Sequence, residues 1–76
     1  MLELHLLQYE HLSSWRDSET GAPCDVQVNR THGVICIGVS YDRMNCGTIY
    51  DTYFLKDNPD ASDADIIKYA EGCIPR

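Results

Sequence analysis

Period-two alternation of apolar and polar side chains is clearest between Cys24 and Arg30, in CDVQVNR, where Val26 and Val28 fall on one side and Gln27 and Asn29 on the other. That is the pattern of a half-buried strand. The next stretch, Val34 to Tyr41, is apolar on both sides: Ile35, Ile37, Val39 and Tyr41 on one, Val34, Cys36 and Gly38 on the other. A strand apolar on both faces sits in the middle of its sheet. Thr31-His32-Gly33 joins the two as a tight hairpin, with Gly33 as the residue that takes a positive φ. Beyond the polar segment DRMNCG, residues 48–55 (TIYDTYFL) read as the partner strand of 34–41. On it Ile49, Tyr53 and Leu55 share a face with Asp51, and Tyr50 and Phe54 share the other with Thr48 and Thr52.

The two ends of the chain differ in clarity. Leu2, Leu4 and Leu6 alternate with Glu3 and His5, which favours a strand over 2–8 with a bulge at Leu6–Leu7. The same leucines also fit one face of a helix running on to Trp15, since a short apolar run does not fix its own period. Ser18-Glu19-Thr20-Gly21 is a turn signal, and Pro23, lacking an N–H, belongs at the start of the strand that follows. At the other end, Lys56-Asp57-Asn58-Pro59-Asp60 breaks the sheet. Ser62 is then a good N-cap, and Asp63 and Asp65 favour the positive end of a helix dipole. Ile66, Ile67, Ala70 and Cys73 or Ile74 form an apolar stripe at helical spacing, which predicts a helix over about 63–71, with Gly72 at C′ and Pro75 beyond. The expected fold is α+β: a meander of three or four antiparallel strands with one C-terminal helix across a face.

At 76 residues the chain is one domain, 1–76, with room for one modest core. A hydrophobic fraction of 43% is that of a globular protein. No apolar run approaches the ~20 residues that cross a bilayer, and MLELHLLQYEHL lacks the features of a signal peptide. The expected setting is cytoplasmic, and with it four reduced thiols at Cys24, Cys36, Cys46 and Cys73.

Charge narrows the partners. Six basic residues against twelve acidic ones leave a net charge of −6, which argues against nucleic acid and against an anionic membrane surface. A protein with a basic surface fits better. The acids are also unevenly spread. Asp51, Asp57, Asp60, Asp63, Asp65 and Glu71 meet only Lys56 and Lys68 across residues 51–71. Asp60, Asp63 and Asp65 are in part helix-start chemistry. The tract as a whole reads as an anionic docking patch.

The candidate chemistry is otherwise thin. The cysteines lie 12, 10 and 27 residues apart, without the close pairs that build a zinc site, so no metal or other cofactor is expected. Cys46, between Asn45 and Gly47, is the thiol expected to be most exposed. His5, His11 and His32 have no evident acid–base partner, and no phosphate-loop, dinucleotide or hydrolase motif is present, so an enzyme is not expected. The aromatics Tyr41, Tyr50, Tyr53 and Phe54 lack the interleaved cations of a nucleic-acid stacking platform.

The leading expectation is a non-enzymatic interaction protein, an inhibitor of a nucleic-acid-handling protein. By class analogy only, small acidic proteins of phages and mobile elements, anti-CRISPR proteins among them, act in this way. Its binding residues are expected to be Asp51, Asp57, Asp60 and Asp63, with Tyr50 and Phe54 on the exposed sheet face. The runner-up is a structural or accessory subunit that forms a homodimer through an edge strand. A small metal-binding module comes third.

Overall fold

The computed structural model describes residues 3–40 and 46–74. Its sheet has four antiparallel strands in sequential order: β1 (Glu10–Arg16), β2 (Pro23–Asn29), β3 (Val34–Ser40) and β4 (Cys46–Asp51). Two helices follow, the single turn α1 (Phe54–Asp57) and α2 (Asp63–Cys73). This is the α+β meander with a C-terminal helix. Leu2, Tyr41, the 42–45 segment, Pro75 and the side chains of His5 and Cys46 lie outside the described residues, so expectations on them carry no structural statement.

The core forms where the alternation is cleanest. Val28 pairs with Ile35, Val26 with Ile37 and Cys24 with Val39, so these six side chains share one face. Ile49 of β4 extends that face beside Ile37. Ile66 and Ala70 of α2 and Ile74 just after it close over it, with Leu55 and Ala61 from the segment before α2. Ile35, Ile37, Ile66 and Val26 have no exposed surface. A helix of eleven residues is marginal alone in water, so this apolar contact holds α2 in place. Its start is fixed locally by a capping box in which Ser62 Oγ accepts from Asp65 N–H and the Asp65 carboxylate accepts from Ser62 N–H. Arg30, in the β2–β3 turn, reaches the same end, donating to Ala61 O at 3.1 Å and pairing with Asp63 at 2.6 Å.

Three expectations need correction. The first strand is not 2–8. Residues Leu4–Leu6 make a 3-10 turn, and the strand begins at Glu10. Its period is hidden by a register shift between His11 and Ser13, where Leu12 is the extra residue. Leu12 and Trp15 both pack on the core, while His11 and Ser14 face the other way, bonded to each other at 2.8 Å.

The last strand ends at Asp51, four residues before Leu55. The Asp51 carboxylate accepts the N–H groups of Tyr53 and Phe54 at 3.0 and 2.9 Å. Those donors are thereby removed from any sheet ladder, and the chain turns into α1. Finally, Gly72 lies inside α2, which continues to Cys73. Among the described residues, the glycines with positive φ are Gly21 (+73°) and Gly33 (+68°), each in its expected turn.

The second face of the sheet is partly covered by the N-terminal segment. Asn29 Nδ2 donates to Gln8 O, and the Tyr9 ring approaches Tyr50 with centroids 6.4 Å apart. Val34, on the same side as Cys36, is buried apart from the main core.

Candidate docking groove between the two helices

The turn at Asp51 sets α1 against α2. Phe54, the first residue of α1, lands on Tyr69 of α2, and the rings stack with centroids 4.2 Å apart and planes 18° from parallel. The Tyr69 hydroxyl donates to the second Asp51 carboxylate oxygen at 2.6 Å. One carboxylate thus starts α1 and fastens the ring on which Phe54 rests. Burial pushes the Asp51 carboxyl up, but the bonds from Phe54 N–H, Tyr69 O–H and Tyr53 N–H outweigh it, and its pKa lies below the ordinary carboxylate value. The same bond to Asp51, then burial and the neighbouring Cys73 thiol, raise the Tyr69 phenol well above an ordinary tyrosine.

Beside this pair runs an open groove of about 940 Å³. Phe54, Tyr69, Cys73 and the buried Ala61 form its floor, and Asp57, Asn58, Pro59, Asp60, Asp65, Lys68 and Gly72 its rim. Three carboxylates face one ammonium. Asp65 is engaged in the capping box, whereas the carboxylates of Asp57 and Asp60 are exposed and make no hydrogen bond or ion pair among the described residues.

The residues expected from sequence to form one patch are divided by the fold. Asp57, Asp60 and Phe54 meet in the groove. Asp51 lies behind it, its carboxylate occupied by three internal donors. Asp63 is outside the groove and paired with Arg30. Tyr50 is on the far side of the sheet, next to Tyr9. The patch gains residues that the charge count did not select: Tyr69, Pro59 and Cys73. Tyr69 and Cys73, four apart with Asp65 a turn earlier, lie on one helical face, and that spacing was the available signal.

A second groove of about 460 Å³ crosses the far face of the sheet, lined by Ser14, Asp25, Gln27, Cys36, Gly38 and Thr48 among others. Burial, with the Asp25 carboxylate adding to it, pushes the Cys36 thiol up, away from the reactive thiolate. Cys24, Cys36 and Cys73 are free thiols. His32 sits in the β2–β3 turn, its N–H bonded to Asn29 Oδ1 at 2.8 Å. Among the described residues, no group of three or more His, Cys, Asp or Glu is arranged to hold a metal ion. No described helix is long and apolar enough to cross a membrane.

No protein-family model, curated protein or solved structure matches the chain. What the groove does is therefore read from its own residues.

Proposed function

We propose that this chain is a non-enzymatic interaction protein that docks the α1–α2 groove onto a basic segment of another protein. The observation that carries the reading is the combination in one groove of a fixed aromatic floor and two carboxylates, Asp57 and Asp60, with no partner among the described residues. An apolar floor supplies contact area, and an anionic rim selects cationic partners and steers their approach. Proteins that handle nucleic acid carry such basic segments, and an inhibitor of one of them is the specific role we favour. The net charge of −6 supports it, since the chain's own field attracts cationic surfaces.

The test is a pair of baits, the native chain and the Asp57→Lys/Asp60→Lys variant, presented to the same cell extract. Asp63 is left unchanged because its reversal would repel Arg30 and disturb the α2 start. The proposal expects a partner held by the native chain, released as salt rises, and not held by the variant. A partner held equally by both baits rejects the groove as the docking surface.

A second reading, a homodimer, is favoured by one observation: β1 and β4 each have a single neighbour in the sheet. Sedimentation over a range of concentration tests it, and a constant monomer mass rejects it.

A further inference from the structure

Resting on the docking role just proposed, we infer that the groove's occupant is an arginine-bearing protein segment, and that the groove prefers arginine to lysine. The floor is what discriminates. Phe54 and Tyr69 already form a nearly parallel stack at 4.2 Å, and a third planar group can extend it. A guanidinium is planar and weakly hydrated, so it can lie on an aromatic ring while its edge donates to carboxylates. An ammonium is compact and strongly hydrated. To reach the same floor it must shed water, and it gains no stacking in return.

The acceptors are present on the rim. The carboxylates of Asp57 and Asp60, without a partner among the described residues, can receive the guanidinium edge, and Asp65 adds its charge. Bidentate pairing suits a guanidinium donor and a carboxylate acceptor. The site is also held in shape beforehand, because the Tyr69 hydroxyl is tied to Asp51 and Asp51 to the first backbone groups of α1. Little ordering of the floor is left for the ligand to impose. Charge complementarity alone would admit any cation, and the aromatic floor narrows it to a planar one.

The experiment compares acetylated, amidated hexa-arginine, hexa-lysine and hexa-citrulline by titration calorimetry on the full chain at ~20 mM salt, where the Debye length is long enough to reveal weak charge pairing. The inference expects hexa-arginine to bind about three- to ten-fold more tightly than hexa-lysine. Hexa-citrulline, planar but neutral, should not bind measurably. In Phe54→Leu, checked for folding by circular dichroism, the arginine preference should fall toward unity while charge-driven binding remains. Equal affinities for hexa-arginine and hexa-lysine in the native chain overturn the arginine preference and leave the docking role standing. Binding of neither peptide overturns the docking role as well. The native-chain comparison decides the matter even if Phe54→Leu does not fold.

Discussion

Removing the Asp51 carboxylate tests whether one side chain both ends the sheet and builds the groove. In Asp51→Ala three donors lose their acceptor: Tyr53 N–H at 3.0 Å, Phe54 N–H at 2.9 Å and the Tyr69 hydroxyl at 2.6 Å. At about 1 kcal/mol for each backbone bond and about 1–2 for the short bond to a charged acceptor, full burial would give ~3–4 kcal/mol. The site is only partly buried, so water can recover some of this, and ~2–3 kcal/mol is expected. A domain of this size has roughly 4–11 kcal/mol in all, so the change is large. With a urea m-value of ~1 kcal/mol per molar, the midpoint should fall by ~2–3 M. Asp51→Asn retains an acceptor for the two backbone groups, and its Tyr69 partner can rotate to accept instead. It should cost only ~1 kcal/mol, the charged share of the interaction.

The pH dependence separates charge from packing. The folded pKa of Asp51 lies below its ordinary value of 3.8, so the folded state binds fewer protons there than the unfolded chain. The stability it contributes is present above pH 3.8 and is lost as pH falls through the folded pKa. The gap between native and Asp51→Asn should therefore close in acid. Tyr69 acts with the opposite sign. Its folded pKa is raised above 10.0, so its contribution is present below pH 10 and is lost as pH rises beyond it. Urea titrations at neutral and acid pH check the account. An Asp51→Ala midpoint within ~0.5 M of the native one, or an Asn gap that persists unchanged in acid, refutes it.

Ile37, fully buried between Val26 and Ile49, should cost about 2–5 kcal/mol when replaced by alanine, measured by urea unfolding; a loss below ~1 kcal/mol would contradict the core described here. A Cβ at Gly38 would stand only 2.3 Å from Asp25 Oδ1, so Gly38→Ala must push that carboxylate aside. The obstacle is the movable end of a side chain, so the penalty is small, about 0.5–1 kcal/mol; it should vanish in an Asp25→Ala background, and a double-mutant cycle without coupling would reject the clash. Arg30→Ala removes the bond to Ala61 O and an ion pair whose side chains are 42% and 58% exposed. A loss of only ~1 kcal/mol is expected, read as a lowered melting temperature whose deficit shrinks in high salt.

Where local pattern and tertiary structure agree, the sequence is easy to read. Strand β2 keeps strict alternation, β3 is the unbroken apolar run of a central strand, their hairpin has a glycine where positive φ is needed, and α2 carries its Ser62 cap and apolar stripe. Strand β1 is hidden in the sequence because its bulge at Leu12 breaks the period, so that Glu10–Arg16 shows no alternation while the leucines before it do. The end of β4 is hidden because Tyr53-Phe54-Leu55 is an apolar run with strand-forming residues. Asp51 decides the matter by taking two backbone donors, an interaction between a side chain and later N–H groups that periodicity does not register.

The candidate site shows the same division. The excess of acids in residues 51–71 was visible as a count, but the count gives no directions. Asp51 points inward to Tyr69 and Asp63 toward Arg30, leaving Asp57 and Asp60 on the groove. Phe54 was expected on an exposed sheet face with Tyr50. Once the strand ends at Asp51, the two aromatics belong to opposite sides of the molecule, and Tyr69 becomes the partner of Phe54.

The central claim is that the groove between α1 and α2 receives a cationic segment, and amide chemical-shift mapping of the isotope-labelled chain during titration with hexa-arginine at low salt tests it most directly. The account predicts shifts concentrated at Phe54, Asp57, Asp60, Lys68, Tyr69 and Cys73, saturating together and reversed by added salt. Shifts centred on Tyr9 and Tyr50 across the sheet, or spread evenly over every acidic residue of the chain, would contradict it.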